Sequence, residues 1–273
     1  MMLREIGGGV YNKYCGLIKS KLIASLTSWP KRIETSHLSI KTILNQTVQP
    51  DLTVLWLAKS EFPNKESDLP KELTSLLSRK FEIRWTEDIK SYKKLIPSLE
   101  AFPDDVVITF DDDLFFDRRI IERLINGYLK YPNFIQCHRT TTIIFNDIND
   151  IRIADYKYPQ WTYLHKLSGG AGCLYPPHCF YKDILRKDLF MQLAPTSDDI
   201  WFWLMAAMNG FKVNIVEGNL PDLHYIPNTQ EVALCLNNDS GEKLFFVHLR
   251  NILNSYPVLI DLLKNEQKLQ NLI

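Results

Sequence analysis

Three aspartates follow the apolar run in "VVITFDDDLFF" (residues 106–116), and two more open "DDIWFW" (198–203). Residues 106–110 have the composition of a strand buried on both faces. In open α/β sheets, ligands bind beyond the carboxyl ends of the strands, and the three acids stand at such an end. Period-two alternation sends Asp111 and Asp113 to one side and Asp112 to the other. Two carboxylates on one side do not both stay ionised cheaply without a cation. A hard divalent ion with oxygen ligands, Mn²⁺ or Mg²⁺, answers that need, and such ions bind substrate phosphates. The chemistry expected is metal-assisted handling of a diphosphate. A solvated acidic turn is the plainer alternative, and the buried strand leading into the acids counts against it.

The second acid pair admits two readings. Ser197 can cap the helix that follows, with Asp198 and Asp199 favoured at its positive end. A carboxylate at a helix start beside aromatic walls can also serve as a general base. Trp201 and Trp203 offer the flat faces on which sugar rings stack, or they belong to the core. Between the two acid sites lies "SGGAGCLYPP" (168–177), where Gly169 and Gly170 let backbone approach a ligand closely. Lys93 and Lys94, in "SYKKLIP", can meet phosphate oxygens or line a solvated helix face.

The elements that must position these residues alternate. "KLIASLTSW" (21–29), "PDLTVLWLA" (50–58), "FEIRWTED" (81–88) and "DVVITFDDD" (105–113) read as strands. Helical patterns lie between and after them at 30–47, 69–80, 91–102 and 117–132, with a proline at the first turn of the second. Such alternation predicts an α/β fold with a largely parallel sheet. The second half is less regular. Residues 134–145 read as one or two strands, 157–177 as loop or edge strand, and 197–211 as a helix stopped by glycine. A late strand at 212–218 and a helical tail in two pieces complete the chain. One domain is expected over residues 1–273.

Composition narrows the function. Lysine plus arginine equals aspartate plus glutamate at 32 each, so the chain lacks the basic excess of a general nucleic-acid binder. Residues 1–41 carry seven basic residues against Glu5 and Glu34, which suits an anionic membrane surface, an anionic ligand or a solvated face alike. Five cysteines without a CxxC pair read as reduced, mostly buried thiols. No stretch of 18 apolar residues and no signal-type leader is seen, so a cytoplasmic protein is expected, with contact at the inner face of the membrane allowed by the basic end.

Taken together, "IASLTSWPKRI", "LNQTVQPDLTVLWLAKSEFP", "IRWTEDIKSYKKLIPSL", "VVITFDDDLFF", "GGAGCLYPP" and "TSDDIWFW" resemble a bacterial glycosyltransferase of the GT-A type. They are similar to family-2-like transferases of capsule, lipopolysaccharide or exopolysaccharide clusters. The resemblance covers residues 21–235. It implies a Rossmann-like nucleotide-binding half over 21–132, an acceptor-binding half over 133–235 and a helical tail over 236–273. It also implies a nucleotide-sugar donor, with UDP the expected nucleotide, and a glycan or lipid-linked acceptor. "FDDDL" is similar to the Asp-x-Asp motif, which makes Asp113 a direct metal ligand and Asp111 a contact to metal or ribose, with Asp112 beside the donor. Thr27, Ser28 and Arg32 match the nucleotide-holding strand end, and Asp88 and Lys94 match contacts to base, ribose or diphosphate. Gly169, Gly170 and Trp201 fall on the acceptor side. Asp199 is implied as the base of an inverting displacement, with Asp198 beside it, although Asp stands where the family usually has Glu. A late histidine, His224, is implied as a third metal ligand. Two other classes stay open. A nucleotidyltransferase also uses a strand-end acid pair, but "LTSWPKRI" lacks its glycine-rich loop. A non-enzymatic carbohydrate-binding protein could use the same tryptophans but has no need for a divalent-ion site on a nucleotide half.

Overall fold

The computed structural model describes residues 20–154, 160–216, 223–232 and 244–272. Cys15 and Cys235 lie outside the described residues, as do the first part of the tail and the end of the late strand pattern. Three largely apolar runs form β1 (Leu22–Thr27), β2 (Leu52–Ala58) and β4 (Val106–Phe110), and the alternating, half-buried stretch FEIRWT forms β3 (Phe81–Thr86). They pair in parallel in the order β3-β2-β1-β4. The chain thus runs outward from β1 to β3 on one side and returns to place β4 on the other. The point between β1 and β4 is where an α/β sheet opens a crevice beyond its strand ends.

The sheet continues past β4 through β10 (Ala171–Tyr175), β5 (Phe134–Cys137), β11 (Lys212–Ile215) and β8 (Trp161–Thr162). Strand β10 runs antiparallel to both β4 and β5, whereas β5 and β11 are parallel. The expectation of a loop or edge strand at "GGAGCLYPP" is therefore corrected: Ala171–Tyr175 is a fully buried central strand. Its glycines masked it, although its remaining residues are apolar and match the buried faces on either side. A second, antiparallel sheet of β7 (Asp150–Ile153), β6 (Thr140–Asp147) and β9 (His165–Leu167) stands beside the first.

Helices cover both faces of the large sheet. On one side pack α1 (Ile33–Leu44), the single turn α2 (Lys71–Thr74) and α4 (Ile120–Lys130), against Leu26, Leu55, Leu57, Ile108 and Phe110. On the other side lie α3 (Ile96–Ala101), α5 (Lys187–Leu193), α6 (Asp198–Met208), α7 (Leu244–Ser255) and α8 (Val258–Gln270). The tail is helical in two pieces, broken at Pro257, which cannot continue α7. Helix α6 is apolar on nearly every side, and such a helix must be buried all round. Trp201 and Trp203 are accordingly 0% and 1% exposed, each spending its indole N–H on a backbone carbonyl, of Ile184 and Tyr163 respectively. Trp201 is core, not the acceptor wall that the sequence suggested.

Candidate active site

The carboxyl ends of β1 and β4 open into a cleft of about 660 Å³. Its walls hold Thr27, Ser28, Arg32, Asp88, Lys94, Asp111, Asp112, Asp113, Gly170, Asp198 and Asp199. Residues from opposite halves of the chain therefore meet in one place. Gly169 sits at its edge, with its backbone N–H on Asp199.

Strand alternation explains part of the acidic cluster. Thr109 and Asp111 share the sheet face of Val107, while Phe110 and Asp112 share the other. Asp111 meets the Lys94 ammonium at 2.7 Å. Asp112 accepts a short hydrogen bond from Ser28, at the end of β1, and one of 2.9 Å from Arg32 Nη1. Asp113 does not return to the side of Asp111 as expected. The ladder ends at Phe110, residues 112 and 113 form a turn, and Asp113 Oδ2 comes to lie 2.7 Å from the same Arg32 Nη1. Gln230 donates a further hydrogen bond to Asp113 at 2.9 Å.

The charges are only partly balanced. Burial pushes Asp113 up to about 6, and the neighbouring Asp111 and Asp112 charges add to the rise against the pull of Arg32. Partial burial would raise Asp111, yet Lys94 holds it below the usual carboxylate range. Lys94 lies in a 3₁₀ turn (Lys90–Lys94), and burial alone would neutralise it. Asp111 at 2.7 Å and Asp198 at 3.4 Å instead hold its ammonium charged, well above the ordinary lysine range. It ties the donor-side acids to the acids of α6.

Among the described residues no group of three or more His, Cys, Asp or Glu side chains is arranged to hold a metal. The donor set nevertheless fits a hard divalent ion, because Asp111 and Asp113 offer oxygen ligands at one rim and burial and the neighbouring acids keep Asp113 raised even with Arg32 at 2.7 Å. Such ions take their remaining ligands from water and phosphate. His224 does not join them. Its backbone carbonyl accepts from Phe115, but its exposed side chain is not among those lining the cleft, unlike its neighbours Leu223 and Tyr225.

The glycines serve the acids themselves. A Cβ on Gly170 would fall 1.7 Å from Asp111 Oδ2, and one on Gly169 would fall 3.0 Å from Asp199 Oδ1. Backbone closeness is used to seat carboxylates, a tighter demand than the acceptor contact expected of this loop. At the head of α6, Ser197 makes no side-chain cap; its hydroxyl bonds His248 Nδ1 at 2.8 Å. Asp198 turns inward, with burial raising its pKa. Asp199 turns to the cleft, accepting the Gly169 N–H at 3.0 Å, with Lys166 Nζ 3.6 Å away.

Among the other lining residues, Lys93 already stood out in the sequence and Arg139, Lys166 and Gln230 did not. Lys93 is buried between Glu61 and Asp88, at 3.0 and 2.8 Å, and forms a paired wall next to the first strand end. Arg139, Lys166 and Gln230 also line the cleft. Lys93 stood beside a recognisable motif; the other three are brought in by strand pairings and turns that no local pattern announces.

No model of a known protein family matches the chain, and no curated protein matches its sequence. Solved structures give remote likenesses. One is glucosyl-3-phosphoglycerate synthase from Mycobacterium tuberculosis in complex with Mn²⁺, UDP and phosphoglyceric acid, at 14% identity and a TM-score of 0.36. That match covers 48% of this chain and 46% of the synthase, so the likeness spans less than half the length of the synthase. The same synthase with UDP-glucose matches at 15% identity and a TM-score of 0.36, covering 50% of this chain and 49% of the synthase. CMP:2-keto-3-deoxy-manno-octonic acid synthetase complexed with CTP matches at 13% identity and a TM-score of 0.41, over 71% of this chain and 88% of the synthetase. At these values the assignment of function rests on the cleft.

Proposed function

We propose that the chain is a glycosyltransferase of GT-A type, moving a sugar from a nucleotide-sugar donor to an acceptor hydroxyl. The observation that carries this reading is the convergence, in one cleft, of a strand-end acid cluster with a cleft-facing carboxylate on α6. A diphosphate site and a base for a hydroxyl are what glycosyl transfer needs together. A nucleotidyl transfer to a sugar phosphate, whose nucleophile is already ionised, has no requirement for the second.

The donor lies over the ends of β1 and β4, with its nucleotide toward Thr27, Ser28 and Asp88. Asp111 and Asp113 would hold Mn²⁺ or Mg²⁺, which supplies Lewis-acid neutralisation of the diphosphate when bound. Arg32 and Lys94 add fixed positive charge at the same rim. Asp199 takes the proton of the acceptor hydroxyl as the oxygen attacks the anomeric carbon, and the nucleoside diphosphate departs in the same displacement. Exposure favours Asp199 over Asp198 for this role: their side chains are 26% and 10% exposed. The Gly169 N–H aims Asp199 at 3.0 Å, with the Lys166 ammonium 3.6 Å away. UDP is the donor nucleotide proposed, and a glycan or lipid-linked sugar the acceptor.

Asp199→Asn should lower sugar transfer by about 10²–10⁴-fold while leaving donor affinity within a few-fold. Turnover in product NMR with a matched donor checks this. Wild-type turnover by the variant would remove Asp199 from the mechanism.

A further inference from the structure

Two cations on the acceptor side of the cleft lack the close carboxylate partners that Arg32, Lys93 and Lys94 have. Strands β6 and β9 pair antiparallel, with Thr141 opposite Lys166 and Thr140 opposite Leu167. One step further, the Ser168 N–H donates to the Arg139 carbonyl at 3.1 Å, which sets those two residues opposite each other. Period-two alternation then puts Arg139, Thr141, Lys166 and Ser168 on one face and the buried Thr140 and Leu167 on the other. Arg139, Lys166 and Ser168 line the cleft. This face of the small sheet therefore forms the wall beside Asp199.

The charges on that wall do not cancel. Arg32 is taken by Asp112 and Asp113, Lys94 by Asp111 and Asp198, and Lys93 by Glu61 and Asp88. Among the described residues Lys166 has only Asp199, at 3.6 Å, beyond hydrogen-bond range, although its side chain is just 14% exposed. Arg139 makes no ion pair with any described residue. One carboxylate thus faces two cations, and a largely buried ammonium without a close partner is unfavourable. A neutral sugar bound there would deepen the imbalance by displacing water. An oxyanion would relieve it, because guanidinium and ammonium groups hold carboxylate and phosphate through charge-assisted hydrogen bonds.

We infer that Arg139 and Lys166 form a subsite for an acidic group, carboxylate or phosphate, carried by the acceptor close to its reacting hydroxyl. This rests on the transferase reading above and specifies its acceptor as an acidic sugar or a sugar phosphate. The group would also draw Lys166 off Asp199 as the acceptor binds, freeing the carboxylate to take the hydroxyl proton.

The experiment is calorimetry on the full chain, with and without UDP and Mn²⁺. Methyl glucoside, methyl glucuronide and glucose 6-phosphate serve as probes, the last two separating a carboxylate from a phosphate subsite. At least one acidic probe should bind ten-fold or more tighter than the neutral glycoside. Arg139→Gln and Lys166→Met should each erase that preference while UDP affinity stays within two-fold of wild type. Equal binding of all three probes would overturn the subsite, as would variants that weaken UDP instead and so mark the two cations as donor contacts. Failure of the wild type to bind UDP or any other nucleoside diphosphate would count against the transferase reading. The acid preference, measured without nucleotide, would still decide the subsite.

Discussion

The Asp113 carboxyl is destabilised where it stands, and removing its charge should make the ligand-free protein more stable. Its pKa rises from the ordinary 3.8 to about 6. A rise of about two units, at about 1.4 kcal/mol each, sets an upper limit near 3 kcal/mol on the strain of the ionised group at neutral pH. That shift already includes the attraction of Arg32, which keeps Asp112 when Asp113 is neutral. Asp113→Asn is therefore expected to stabilise by about 1–3 kcal/mol at pH 7.5, a rise in Tm of roughly 3–10 °C for a chain of this size. The sign follows from proton binding. The folded state holds this proton between pH 3.8 and about 6 and the unfolded chain does not, so stability present below that window is lost as pH rises through it. Near pH 4 the folded carboxyl is protonated and the unfolded one close to half so, and most of the gain should vanish. Thermal unfolding in EDTA at pH 4 and pH 7.5 reads both effects. A variant no more stable than wild type at pH 7.5, or one equally stabilised at both pH values, would refute the charge balance drawn for the cleft.

Lys94→Met should act in the opposite direction. It leaves the buried Asp198 and the half-buried Asp111 without their shared cation, a loss of about 3 kcal/mol in urea unfolding at neutral pH, the low end for a buried pair because Asp111 is 39% exposed. Gly170→Ala should also destabilise, since a methyl group 1.7 Å from Asp111 Oδ2 must displace that carboxylate. Binding of Mn²⁺, followed by its electron paramagnetic resonance signal, should weaken at least ten-fold in this variant; unchanged binding would remove Asp111 from the proposed ligands.

The regular half of the fold was legible because its signals are local. Strands β1, β2 and β4 are short apolar runs and β3 alternates apolar with polar residues, and four such stretches separated by helical stripes have few alternatives to a parallel sheet. The same locality exposed Asp111–Asp113 at a strand end and Asp199 at a helix start. What escaped was set by tertiary contact. Gly169 and Gly170 read as a loop, yet they seat two carboxylates at the mouth of a buried strand. Trp201 offered the same flat face whether buried or free, and only the packing around α6 decides. The side of Asp113 depended on where the β4 ladder ends, one residue before the acids begin. Arg139 and Lys166, 27 positions apart in the chain, meet only through the register of β6 on β9.

The central claim is that the rim of β4 binds a nucleoside diphosphate through a divalent ion. Calorimetry with UDP, with and without Mn²⁺, tests it most directly when wild type is set beside Asp113→Asn, a variant expected to be folded and more stable. The account predicts that Mn²⁺ tightens UDP binding at least ten-fold in the wild type and has no such effect in the variant. UDP binding indifferent to Mn²⁺, or enhanced equally in both proteins, would contradict it.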